Sequence, residues 1–156
     1  MCLSGSFSTS CLVLMASTFA MPSPMIAQTI DADWTVTAFS GEALFVDPQK
    51  VIGTVQSFNG GYSEGPFYAC NFGGQSMGYT TYDMVEFINS RAFELFLPAH
   101  AEISQTGSKV FVHRISCNGD DDPLSRRALY PFITVDDAPI AWYPFEEGVF
   151  KMEIKR

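Results

Sequence analysis

The sequence predicts an all-β domain, a mostly antiparallel barrel or sandwich of eight or nine short strands with one short helix and one disulfide. Three observations point there. Fourteen Phe, six Tyr and two Trp stand among 156 residues, and aromatics suit a pleated, half-buried surface. Short runs with a two-residue apolar period are broken by Gly, Pro, Asn and Asp about every ten residues. The best of these runs, Lys109 to Asn118 (KVFVHRISCN), ends in Cys117.

Charge begins abruptly. Residues 1–30 hold no Asp, Glu, Lys, Arg or His, and the first charged side chain is Asp31. Within that leader Cys11 to Ala20 is a short apolar run, followed by Pro22, Pro24 and small residues near Ala27. This is the layout of a secretory signal peptide spanning 1–27, with cleavage after Ala20 or Ala27. The run is too short for a membrane span of about 20 residues. The start of the leader carries no Lys or Arg, which departs from the usual pattern. The remainder, 28–156, reads as a single β-rich domain that is exported, to a periplasm or out of the cell.

Removal of the leader takes Cys2 and Cys11 with it and leaves Cys70 and Cys117. In an oxidising compartment such a pair reads most simply as a disulfide; two buried thiols or a metal pair are the alternatives. In the chain-entropy model a bridge closing a loop of that size contributes about 4 kcal/mol. The net charge is −8. Such a surface repels nucleic acid and anionic membranes and attracts a basic partner. An apolar share of 47% against a charged share of 17% excludes a disordered chain.

Taken in order, Trp34, Val36 and Ala38 alternate with Thr35, Thr37 and Phe39 as an opening strand, and Ser40-Gly41-Glu42 turns the chain. Ala43 to Val46 is a second short run and Val51 to Phe58 a third. Asn59-Gly60-Gly61 is a hairpin signal, because these residues tolerate positive φ. Pro66 to Phe72 carries Cys70, and Met77 to Tyr82 reads as a strand. Asp83 to Arg91 fits a helix of about two turns, with Asp83 and Glu86 spaced as a capping box. Phe93 to Leu97 reads as strand again, and Gln105 to Ser108 as a turn into Lys109 to Cys117. Asn118 to Pro123 is an acidic loop. Leu129 to Val135 is a strand whose Pro131 suggests an edge or a bulge. Pro139 to Phe145 and Gly148 to Ile154 form a terminal hairpin, and the first and last strands are placed to pair.

Catalytic signals are sparse. A nucleophile needs a base and an oxyanion site; there is no GxSxG elbow, and the histidines are His100, in a loop, and His113, in mid-strand. Paired carboxylates for glycoside cleavage cannot be picked out from sequence. Asp120-Asp121-Asp122 lacks the spacing of a calcium loop. No catalytic residue, cofactor or metal is expected. Trp34, Tyr79, Tyr82, Trp142, Tyr143 and Phe145 are candidates for an apolar ligand pocket, or simply for core filling.

Two resemblances add to this. Trp34 on the opening strand, Ala69-Cys70-Asn71 followed by Phe72-Gly73-Gly74, and the later Cys117 resemble small exported β-barrels of the lipocalin-like (calycin) and META-domain type. That resemblance implies a barrel and a binding role. Ser104-Gln105-Thr106-Gly107-Ser108-Lys109 resembles the S-x-S-G-A-K/R loop of periplasmic inhibitors of C-type lysozyme. It implies that Ser104 would hydrogen-bond within the enzyme's cleft and Lys109 engage its catalytic carboxylates; Thr106 and Gly107 belong to the same candidate loop. The same segment also reads as a plain turn between two strands. The functional expectation is thus an exported, non-enzymatic binding module for a small apolar ligand or a protein. The alternative is an inhibitor of a basic exported enzyme such as lysozyme or a protease.

Overall fold

The computed structural model describes residues 30–71, 78–115, 131–136 and 138–154. The leader, Cys117 and the acidic loop lie outside these residues, as does the side chain of Cys70, so the expected disulfide and signal peptide fall outside them too.

The architecture is mostly β, as the sequence predicts. Among the described residues nine antiparallel strands form one sheet: β1 (Asp33–Glu42), β2 (Val55–Asn59), β3 (Tyr62–Glu64), β4 (Cys70–Asn71), β5 (Gly78–Asp83), β6 (Lys109–Arg114), β7 (Phe132–Val135), β8 (Ile140–Phe145) and β9 (Glu147–Ile154). Their order is β4-β3-β2-β1-β9-β8-β7-β6-β5. Every pair of strands consecutive in sequence is hydrogen-bonded except β4 and β5, and β9 returns to β1. This is the meander of an up-and-down barrel, opened between β4 and β5 into a curled half-barrel.

Side-chain contacts show the curl. Phe58 on β2 meets Phe132 on β7 with ring centroids 5.3 Å apart, and Trp34 on β1 meets the same ring at 5.5 Å. Three strands separate β7 from β2 in the sheet order, a span of roughly 19 Å on a flat sheet. Only a concave face brings those rings together. On it lie Trp34, Val36, Phe58, Tyr68, Phe132, Ala141, Tyr143, Phe150 and Met152. The convex face of β6 to β9 carries Val110, Val112, Ile133, Val135, Trp142 and Val149.

That convex face is roofed by helix. α1 (Met84–Ile88) follows β5 directly, as the sequence predicts, although the Asp83 side chain makes no capping hydrogen bond. The expected strand at Phe93 to Leu97 is instead a 3-10 helix, Arg91–Ala99, running straight into α2 (His100–Ile103). The reason is the burial period. Phe93, Phe96 and Ala99 are spaced by three and buried with Ile103, whereas Leu95 and Leu97 are exposed. Three is the period of a 3-10 helix, and a reading by alternation mistakes Phe93-Leu95-Leu97 for a strand face.

Other local expectations shift as well. Ser40-Gly41-Glu42 does not turn; it completes β1, pairing Gly41 with Gly148 and Glu42 with Glu147. A bulge between Val36 and Ala38 changes the facing residue. Phe39, not Ala38, therefore packs on Phe150, with centroids 4.6 Å apart. The Phe39 ring occupies the place that a Cβ on Gly148 would take. The third run begins only at Val55, after a 3-10 turn at Pro48–Lys50. The hairpin at Asn59-Gly60-Gly61 forms, with Gly60 and Gly61 as central residues at φ 55° and 100°; positive φ at both is what a primed turn requires. Pro131 precedes β7, which is an interior strand rather than an edge.

One polar side chain is built into this frame. Gln56 is fully buried. Its amide donates to the carbonyls of Ser57, Glu64 and Tyr68 and accepts from the backbone N–H groups of Phe67 and Tyr68. A buried amide with both ends satisfied fixes the path of residues 64–68 against β2.

Candidate functional site

The turn singled out as an inhibitor-like loop joins α2 to β6. Two of its hydroxyls fold back onto the preceding helix. The Ser104 hydroxyl donates to the Ala101 carbonyl at 3.3 Å, and that of Thr106 to the Glu102 carbonyl at 2.8 Å. Both add to the hydrogen bonding of carbonyls in the last turn of α2; the Glu102 carbonyl also accepts from the Gln105 N–H at 3.2 Å. Gly107 crosses at φ 81°. A Cβ there would sit 2.6 Å from an Asp136 carboxylate oxygen and 2.8 Å from its carbonyl oxygen, so both conformation and space demand glycine.

Asp136 is the clamp of this turn. Its carboxylate accepts from the Ser108 N–H at 2.7 Å, the Ser108 hydroxyl at 2.6 Å and the Lys109 N–H at 2.7 Å. Its own N–H donates to the Lys109 carbonyl. Partial burial pushes its carboxyl pKa up, but these hydrogen bonds outweigh that and hold it below the ordinary value. In the sequence Asp136 stands directly after the last residue of β7. The contact spans 28 positions, so no local signal marks it. Of the two loop residues to which the resemblance gives a role, Ser104 and Lys109, it is Lys109 whose side chain is exposed, across the ladder from Asp83. The loop is tied down by Asp136 and carries one exposed cation, Lys109.

The candidate pocket aromatics divide between the two faces. Trp34 and Tyr143 are buried on the concave side. The Trp34 indole N–H donates to the Ile30 carbonyl at 2.9 Å. The Tyr143 ring stacks on Phe67 at 4.4 Å and meets Tyr68 edge-on at 5.3 Å. Phe145 borders this cluster, 6.0 Å from Phe150. Trp142 lies on the convex side under the helical roof, with Tyr82 packed at its margin against Phe87. The Trp142 indole N–H is buried and has no hydrogen-bond partner among the described residues. Tyr79 is on the concave side but half-exposed, 5.6 Å from both Phe111 and His113. These residues therefore do not share one wall.

Burial also disarms the histidine in mid-strand. His113 Nε2 lies 2.9 Å from the Thr134 hydroxyl. Desolvation lowers its pKa from 6.5 to about 4, so the imidazole is neutral over the physiological range. His100 packs edge-on against Phe93 at 5.4 Å. Among the described residues no group of three His, Cys, Asp or Glu is placed to hold a metal, and no helix is long and apolar enough to cross a membrane. No known protein family, curated protein or solved structure matches the chain.

Proposed function

We propose that the protein is an exported, non-enzymatic binding module whose partner is a protein met at its surface loops. Export rests on the leader. The observation that carries the protein partner is the concave face. There, the rings that would line a ligand cavity pack on one another, Trp34 and Phe58 against Phe132 and Tyr143 against Phe67 and Tyr68. Contact falls to loops carried on a rigid sheet, where binding residues commonly stand.

A second reading, inhibition of a basic exported enzyme such as lysozyme or a protease, is favoured by the clamped turn that presents Lys109. A net charge of −8 would steer a basic target toward the module. The test is affinity capture with the oxidised mature chain as bait, against envelope extract supplemented with hen-type lysozyme. A stoichiometric enzyme partner lost in Lys109→Ala supports inhibition. A protein partner retained by that variant supports a module using another surface. A small molecule that co-purifies, seen by native mass spectrometry in place of any protein, overturns the protein-partner reading.

A further inference from the structure

The connection between β1 and the 3-10 turn at Pro48–Lys50 carries the most exposed large apolar side chain described in this chain. Phe45 is 89% exposed, flanked by Leu44 at 57% and Val46 at 36%. The sequence marks Ala43 to Val46 as a short apolar run, which the structure leaves standing in solvent rather than in the sheet. An exposed apolar cluster on a folded domain signals contact with something else.

This finger is held in shape from the neighbouring β8–β9 turn, beside the end of β1. One carboxylate oxygen of Glu146 accepts from the backbone N–H groups of both Leu44 and Phe45. Glu146 sits in the two-residue β8–β9 turn at φ 54°, where it is a non-glycine in the left-handed region. Such a turn favours glycine at its first central position, because a Cβ crowds the following carbonyl. The chain places a glutamate there against the local preference, and what that side chain does is order the finger. Strain retained at one residue that orders an exposed apolar loop is a mark of function rather than of folding.

The base of the finger is acidic. Glu42 and Glu147 are cross-strand neighbours, Glu146 is in the turn between β8 and β9, and Asp47 follows Val46 directly. We propose that Leu44-Phe45-Val46 is a docking finger that inserts into an apolar pocket rimmed by basic residues on a partner protein. The inference rests on the reading of the chain as a protein-binding module but not on Lys109. Charge selects the occupant. An anionic membrane is repelled by the acidic collar, and a second copy would bring two such collars together.

The experiment places a benzoylphenylalanine crosslinker at position 45 of the full chain. It is irradiated in envelope extract, in extract with 1 M salt as a screening condition of about 3 Å Debye length, and with phosphatidylcholine vesicles. The expected product is an adduct to a basic protein that binds the unlabelled parent when purified. Phe45→Ser and Glu146→Gly are expected to weaken that purified complex by roughly tenfold or more, as loss of a central aromatic anchor or of its ordering does. Glu146→Gly is further expected to leave thermal stability unchanged or raised, because the turn is relaxed; a merely structural role for Glu146 predicts the reverse. Crosslinks to lipid, to a second copy or to nothing overturn the proposal. So does a partner whose affinity is indifferent to both variants, which leaves the binding-module reading intact. Failure to capture any protein with the parent chain removes both.

Discussion

The two faces of the sheet are packed in different ways. The concave cluster is built by strands that lie far apart in the sheet, so Phe132 touches Trp34 and Phe58 only because the sheet is curled. Its polar groups are satisfied, with the Trp34 indole bonded to Ile30 and His113 to Thr134. The convex cluster is made by one contiguous segment, α1 through α2, laid on neighbouring strands β6 to β9, and its tryptophan keeps a buried N–H with no partner among the described residues. The concave cluster therefore holds the curl, and the convex one holds a roof. A roof formed by a single segment can lift without the sheet opening.

The largest effect should come from the ring at the centre of the curl. Phe132→Ala is expected to cost about 3–5 kcal/mol of global stability, seen as a lower urea midpoint. Phe96→Ala, in the roof, should show first as faster amide exchange over residues 84–103, with β1, β2 and β9 protected. If both variants accelerate exchange everywhere alike, the two clusters are one cooperative unit and the contrast fails.

Acid should act on the concave side. The unfolded imidazole of His113 takes a proton near pH 6.5, the folded one only near 4. Between those values protons favour the unfolded chain, so stability is full above about 6.5 and falls as pH drops toward 4. The loss from this residue approaches about 3 kcal/mol. Denaturant titrations at pH 7 and pH 4.5 should show that slope, and His113→Gln should flatten it. An unchanged slope in the variant would assign the acid sensitivity to other groups.

The tryptophans sharpen the contrast at a smaller scale. Trp34→Phe removes a buried hydrogen bond and strands the Ile30 carbonyl, whereas Trp142→Phe removes an N–H that has no described partner. The first should cost about 1–2 kcal/mol more than the second. Equal costs would mean that the Trp142 N–H is satisfied in solution.

The smallest effect is expected where sheet and roof are tied by charge. Lys151 on β9 reaches Glu102 in α2 at 2.7 Å and Glu153 at 3.0 Å, and these hydrogen bonds raise its pKa. The partners are partly exposed, so Lys151→Met should cost no more than about 1 kcal/mol, and less in high salt.

Local chemistry made much of this legible. The Gly60-Gly61 turn, the terminal hairpin, the strand from Lys109 and the short helix after Asp83 all follow from residue preferences acting within a few positions. The prediction of β architecture rests on the same ground. The candidate sites were less legible. Gly107 was marked as a loop residue, but the reason it must be glycine is Asp136, which approaches from another strand. The resemblance gives Ser104 a hydrogen bond to a partner; in the folded chain its hydroxyl also bonds the Ala101 carbonyl, a contact that depends on where the helix ends.

By itself the sequence determined that the chain makes short antiparallel strands rich in aromatic rings, because alternation and turn conformations are local properties. Only the tertiary structure decided which face each ring serves. A single bulge in β1 turns Phe39 inward in place of Ala38, and a three-residue burial period makes helix of Phe93 to Ala99 once a sheet lies beneath it. The same holds for the finger. Leu44 and Glu146 are 102 positions apart, and the pairing of the first strand with the last brings them into one hydrogen bond.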